Sequence, residues 1–187
     1  MEKQKIIPVT ETSKKEENLP SNLNAAYMFD NFMESSSNSY AYKLAKRVIC
    51  ELGARENNPL MLCGAAGTGK THLLHAIGNQ ILKDNSEVKV LYITGKSFFE
   101  EFVATLQNKK METLRERFSE LDCFLIDDIQ FLAGKSCTQF ELFVIIRDLL
   151  QRGKQIVLSS DSLPLQLGFR ENLTRLIKSG LIAEIKG

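Results

Sequence analysis

Residues 64–71 read Gly-Ala-Ala-Gly-Thr-Gly-Lys-Thr, a glycine followed by four residues and then Gly-Lys-Thr, the spacing of a phosphate-binding loop. Gly64, Gly67 and Gly69 let backbone N–H groups approach an anion with no side chain in the way. Lys70 supplies a point charge for the outer phosphates, and the Thr71 hydroxyl supplies an oxygen ligand for the magnesium ion that bridges them. With Thr68 inside the loop, these six residues are the set expected to hold a nucleotide. A second group of matching chemistry stands at Asp127 and Asp128, which close the apolar run Cys123, Phe124, Leu125, Ile126. At the ligand edge of a buried strand, one carboxylate can hold magnesium through water while its neighbour orients or deprotonates the attacking water. Two acids after a strand are a weak signal alone, and a glycine-rich turn before an ordinary helix is the bland reading of the loop. Together in one chain they point to a nucleoside triphosphate site.

The elements that must position these groups follow from periodicity. Leu60, Met61, Leu62 and Cys63 form a short apolar run behind Pro59, and Leu73, Leu74, Ile77 and Ile81 recur at helical spacing. The loop therefore sits between a buried strand and a helix, whose N-terminus adds unpaired donors and partial positive charge. Upstream, Leu44, Val48 and Leu52 mark an amphipathic helix over residues 40–52. Residues 88–94 form a strand ended by Gly95, and two helices follow over 96–106 and 111–121. A helix over 138–152 stops at Gly153, and a strand over 155–159 leads to Ser160 and Asp161. A last helix over 170–179 precedes a fifth strand at 181–185. Alternating strands and helices predict an α/β fold, a parallel five-stranded sheet with helices on both faces. Right-handed crossovers then place all strand C-terminal ends on one side, gathering Gly64, Asp127 and Ser160.

Composition sets the outer bounds. The chain has 187 residues, 43% of them hydrophobic, with a formal net charge of +1. No global field draws it to nucleic acid or an anionic membrane, so such contacts need a local cluster. Lys109, Lys110, Arg115 and Arg117 form one, although most clusters of this size are solvated surface. No run reaches transmembrane length, and no signal-type hydrophobic region opens the sequence. Cys50, Cys63, Cys123 and Cys137 lack metal-ligand spacing and read as core thiols of a reducing cytoplasm. Residues 1–22 are expected to be a disordered polar tail, and 23–187 the nucleotide-binding core. Tyr27, Phe29 and Phe32 in the lead-in pack along the domain or contact a nucleotide base.

Several stretches resemble the AAA+ domain of the bacterial DnaA replication-initiator family: Tyr27-Met28-Phe29-Asp30-Asn31-Phe32, Asn58-Pro59-Leu60, residues 64–72, Leu125-Ile126-Asp127-Asp128-Ile129-Gln130-Phe131-Leu132-Ala133-Gly134-Lys135, and residues 155–161. The resemblance spans about residues 23–185, and 127–135 is its most specific part. It implies a P-loop NTPase of the AAA+ type that switches between ATP and ADP, with Lys70 and Thr71 on phosphate and magnesium and Asp127 on the metal. Asp128 would act on the attacking water, and Asp161 would sense the γ-phosphate. It further implies that the helix pair at 96–121 lines a single-stranded DNA channel in an ATP-linked filament, which gives Lys109, Lys110, Arg115 and Arg117 a role in DNA contact. Self-assembly, or docking on a full-length initiator, is the partner expectation. The helical lid and the helix-turn-helix DNA-binding domain are expected to be absent from this chain, as a fragment or a reduced relative. Leu176 falls where the family carries its arginine finger, with Arg175 one residue off and about 100° around the helix. ATP binding with weak or absent hydrolysis follows. The alternatives are a non-catalytic nucleotide-binding module that docks on an initiator or helicase loader, and a helicase-loader-like ATPase.

Overall fold

The computed structural model describes residues 21–186. The disordered tail expected over residues 1–22 therefore falls almost wholly outside the described residues. Its last two residues, Ser21 and Asn22, lie against a strand: the Tyr92 N–H donates to the Ser21 carbonyl at 2.8 Å and the Asn22 side chain donates to the Tyr92 carbonyl at 3.4 Å.

Five parallel strands, β1 (Leu60–Gly64), β2 (Val90–Thr94), β3 (Cys123–Asp127), β4 (Gln155–Ser160) and β5 (Leu181–Ile185), stand in the order β2-β3-β4-β1-β5. The helices are α1 (Ser39–Cys50), α2 (Lys70–Asp84), α3 (Gly95–Gln107), α4 (Met111–Ser119), α5 (Ser136–Gln151) and α6 (Glu171–Lys178). The predicted fold class is the observed one. Element ends differ from the periodicity reading by at most two residues, in either direction, because periodicity follows side chains while the ends are set by backbone hydrogen bonds. Thus β2 starts at Val90 and α1 stops at Cys50.

The central strands β1 and β3 read as apolar runs up to their last residue because both faces are covered. Met61, Cys63, Leu91, Ile93, Phe124, Ile126, Ile156 and Leu158 pack beneath α3 to α6, meeting Phe98, Phe118, Leu142, Ile146, Leu173 and Ile177. The alternate residues Leu60, Leu62, Val90, Leu125, Val157 and Ala183 face α1 and α2, meeting Ala41, Ala45, Val48, Leu73, Leu74 and Ile77. Each Leu or Ile so buried contributes about 1.5–3 kcal/mol relative to exposure. The two layers fix the sheet between them, and the sheet in turn fixes where its strand ends fall.

Two of the four cysteines depart from expectation. Cys63 and Cys123 are core thiols, and burial pushes the Cys63 thiol up to about 12, while Cys50 and Cys137 are exposed. Both exposed thiols sit at helix ends: Cys50 closes α1 after Val48 and Ile49, and Cys137 stands among polar residues in the first turn of α5.

Candidate nucleotide site

The central order β3-β4-β1 brings the C-terminal ends of three strands side by side, so Asp127, Ser160 and Gly64 meet at one edge of the sheet. The loop leaves β1 at Gly64 and enters α2 through Gly69, which is left-handed at φ 95°. No side chain caps α2, in contrast to α3, whose first turn is capped by the Thr94 hydroxyl accepting from the Ser97 N–H. The leading N–H groups of α2 are thus left to bind an anion at the loop. The Lys70 ammonium folds back over the loop and donates to the carbonyls of Gly64 at 2.6 Å and Ala65 at 2.8 Å. Thr68 braces the same turn by donating to the Ala65 carbonyl at 2.9 Å.

Asp127 is the best-connected polar group of the site. Its Oδ2 accepts from the Thr71 hydroxyl at 2.7 Å and from the Tyr92 hydroxyl at 2.9 Å. Its Oδ1 accepts from the Ser159 hydroxyl and from the Asp128 N–H. A carboxylate only 1% exposed is tolerable because four donors face it. Register explains the convergence: Thr94 pairs with Asp127, which sets Tyr92 two residues back on the same face, and Ser159 follows the Leu158 that pairs with Ile126. Burial, then the neighbouring Asp127 charge, pushes the Tyr92 phenol above its usual range, so it stays a donor.

Asp128 and Asp161 are exposed and sit on the neighbouring turns after β3 and β4. The Asp128 backbone is left-handed, φ 54° and ψ 49°, and its N–H also donates to the Ser159 hydroxyl at 3.0 Å. The chain can make this turn because α3 begins with Gly95: a Cβ there would stand 2.7 Å from the Asp128 carbonyl oxygen. Gln130, on the short helical turn Ile129–Leu132, donates to Asp128 Oδ1 at 3.0 Å and accepts from the Asp161 N–H at 3.4 Å. Ser160, expected at the ligand edge, is fully buried, and its hydroxyl accepts from the Ser162 N–H.

The lead-in packs along α2. Asn24 donates its N–H to His75 Nδ1 at 3.1 Å, Asn79 donates to the carbonyls of Asn24 and Tyr27, and His72 Nε2 meets the Met28 carbonyl at 2.8 Å. Burial holds the His75 imidazole below its ordinary range, so the ring is neutral and free to accept at Nδ1. Phe32 lies over the loop itself, its ring edge 2.9 Å from where a Cβ on Gly69 would sit. The aromatic segment therefore borders the phosphate loop as well as packing on the helix.

The four basic candidates for DNA contact divide. Lys109 and Lys110 are exposed at the break between α3 and α4. Arg115 instead makes a two-pronged ion pair with the buried Glu141 of α5, at 2.6 and 2.7 Å, and Arg117 pairs with Glu101 of α3. Arg115 thus braces α4 against α5 in the body, and Arg117 ties α4 to α3. Where the finger is expected, Leu176 is half-buried against the core, and Arg175 is exposed and paired with Glu171.

Sequence reasoning missed Tyr92, Ser159, Gln130 and His75. The available signal was a polar tip in an otherwise apolar strand, twice, and a glutamine two residues past a candidate acid. Among the described residues no cluster of three or more His, Cys, Asp or Glu side chains could hold a metal alone, and no helix is long and apolar enough to cross a membrane.

A family model for the bacterial DnaA ATPase domain matches residues 23–184. The chromosomal replication initiator protein DnaA of Citrifermentans bemidjiense is 42% identical over 166 residues, which is 88% of this chain and 36% of that protein. This chain thus spans about a third of the length of that relative. Among solved structures, domain III of the Thermotoga maritima replication initiation protein DnaA superposes with a TM-score of 0.84 at 39% identity, over 87% of this chain and 68% of that one. A structure of the replication initiator DnaA bound to AMPPCP and single-stranded DNA superposes with a TM-score of 0.83 at 36% identity, over 88% of this chain and 51% of that one.

Proposed function

The chain belongs to the bacterial DnaA ATPase domain family, and we propose that residues 23–187 are a nucleotide-binding core that takes ATP or ADP and acts in replication initiation or its regulation. The observation that carries this reading is the 2.7 Å contact between the Thr71 hydroxyl and Asp127 Oδ2, which joins the phosphate loop to the end of β3. Both oxygens suit a hard cation, which takes oxygen ligands and keeps several waters beside nucleotide phosphates. Thr71 and Asp127 are the residues that would hold magnesium, and the ion, when bound, offsets phosphate charge. Gly64, Gly67, Thr68 and Gly69 would present backbone N–H groups to the phosphates, with Lys70 turning from its loop carbonyls to the outer oxygens. Asp128 would orient the attacking water and Asp161 would face the γ-phosphate. That a similar initiator structure holds AMPPCP and single-stranded DNA supports both ligand classes.

Nucleotide state is proposed to control self-assembly or docking on a full-length initiator in the cytoplasm, with Lys109 and Lys110 nearest to a free DNA-contacting role. Slow hydrolysis is favoured by a specific observation: Leu176 packs against the core where the family's finger is expected, and Arg175 is tied to Glu171. The second reading, a non-catalytic module, draws on the same observation. Calorimetric titration with ATP and ADP, with and without magnesium, combined with sizing of the purified chain, tests the proposal. Binding that weakens on chelation, with assembly promoted by ATP, is the expected result. Binding without ATP-promoted assembly would favour the docking module, and no binding would overturn the nucleotide reading.

A further inference from the structure

We propose that Gln130 is a positioning residue, one side-chain amide that ties the Asp128 carboxylate to the turn carrying Asp161 and so couples the two polar ends of the site. The inference rests on the nucleotide reading above and adds to it a residue with its own task. Its amide bridges two groups of opposite hydrogen-bonding character. A carboxylate only accepts and a backbone N–H only donates, so Nε2 must face Asp128 and Oε1 must face Asp161, as found. Neither group could be served by a flipped amide.

The bridge matters because Asp128 has little else to fix its side chain. Among the described residues, Gln130 is the hydrogen-bond partner of the Asp128 carboxylate, while the Asp128 backbone is pinned through its N–H by Asp127 and Ser159. Backbone and side chain are therefore held by different parts of the fold. The bridging residue is itself on a firm mount, since its turn is anchored by Ile129 and Leu132, both fully buried. An exposed aspartate without that contact samples several rotamers, and a group meant to orient a water must be held to within a fraction of an ångström. On the other side, the Asp161 N–H contact joins the turn after β4 to the turn after β3. A shift of Asp161 toward or away from a γ-phosphate then moves the amide that holds Asp128.

The test compares the whole chain with Gln130→Ala and Gln130→Glu, reading magnesium-dependent affinity for AMPPCP and for ADP, with thermal melts as the check on folding. Gln130→Ala removes both hydrogen bonds, and the preference for AMPPCP over ADP should fall at least fivefold. Gln130→Glu keeps an acceptor for the Asp161 N–H but sets a carboxylate against Asp128. At neutral pH its preference should fall as in the alanine variant. An alanine variant that keeps the full preference overturns the inference. So does an equal loss for both nucleotides accompanied by a lowered melting temperature, which would mark a purely structural residue. If the unmodified chain binds neither nucleotide, the nucleotide reading itself fails and takes the inference with it.

Discussion

The Tyr92 hydroxyl and the Thr71 hydroxyl donate to the same oxygen, Oδ2 of Asp127, at 2.9 and 2.7 Å. One donor comes from the neighbouring strand and one from the helix that carries the phosphate loop, so the acid that is proposed to hold magnesium is aimed by both. Tyr92→Phe removes one donor without leaving a large cavity. Hydrogen bonds to charged groups contribute about 1.5–3 kcal/mol, and a buried carboxylate cannot replace the partner with bulk water. Chemical denaturation should show a loss of about 1.5 kcal/mol, with magnesium-dependent nucleotide affinity falling several-fold. A variant as stable as the unmodified chain would mean that Thr71 and Ser159 satisfy the carboxylate alone.

Lys70→Ala addresses the loop. The ammonium now satisfies two loop carbonyls and is expected to exchange them for phosphate oxygens. A charge-assisted contact of this kind is worth on the order of 2 kcal/mol, roughly thirtyfold in affinity. Calorimetry that finds equal ADP affinity for both proteins would remove Lys70 from the site.

Much of this arrangement was legible in the sequence because it is local. The loop spacing, the acids that end β3 and the alternation of strands and helices depend on neighbours within a few residues. What was not legible depends on register and on which helix lies above which strand. Tyr92 and Ser159 look like ordinary interruptions of apolar runs until β2, β3 and β4 are laid side by side. Arg115 finds Glu141 26 residues away, and Arg117 finds Glu101 16 residues away, so the same four-residue basic cluster splits into two paired arginines and two lysines without an ion pair among the described residues. Cys50 shows the converse, with Val48 and Ile49 before it in the chain and solvent beside it in the fold.

Hydrolysis should be very slow at every protein concentration. An arginine finger contributes roughly 10³ to 10⁵ in rate in related phosphoryl transfer. Leu176 carries no charge, and Arg175 lies on another side of α6 in a pair with Glu171. Turnover measured over a hundredfold range of protein concentration should stay flat per molecule. A steep rise would show that a neighbouring copy supplies a finger after all.

Acidification should loosen the lead-in. His75 accepts from the Asn24 N–H, and protonation of Nδ1 would break that bond. Burial lowers its affinity for protons, opposed in part by Asp127 and aided by His72, while the Tyr27 and Tyr92 rings lie against it. With the folded value below the ordinary 6.5, the unfolded chain takes up the proton first. The contribution of His75 is thus fully present above about pH 6.5 and is lost as pH falls through the folded value. Thermal melts should decline over that window, and His75→Asn, which keeps an acceptor but does not titrate, should flatten the decline. An identical pH profile for the two proteins would place the sensitivity elsewhere.

Single-strand contact, finally, should run through Lys109 and Lys110 rather than through the arginines beside them. Lys109 is left-handed at φ 55° and both lysines are exposed at the break between α3 and α4, where they can turn toward phosphates. Arg115 is not free in the same sense, since leaving would strand Glu141, which is 3% exposed, without its ion pair. Arg115→Ala should therefore act first on stability, costing about 1–3 kcal/mol for an unsatisfied buried group. Lys109→Ala with Lys110→Ala should leave stability nearly unchanged and flatten the salt dependence of single-strand binding by about 1.4, about 0.7 for each phosphate no longer neutralised. Anisotropy titrations across a salt series, with ATP and with ADP, separate the two outcomes. An unchanged slope in the double lysine variant would show these residues to be solvated surface, and a slope that flattens with Arg115→Ala at unchanged stability would return the arginine to the DNA.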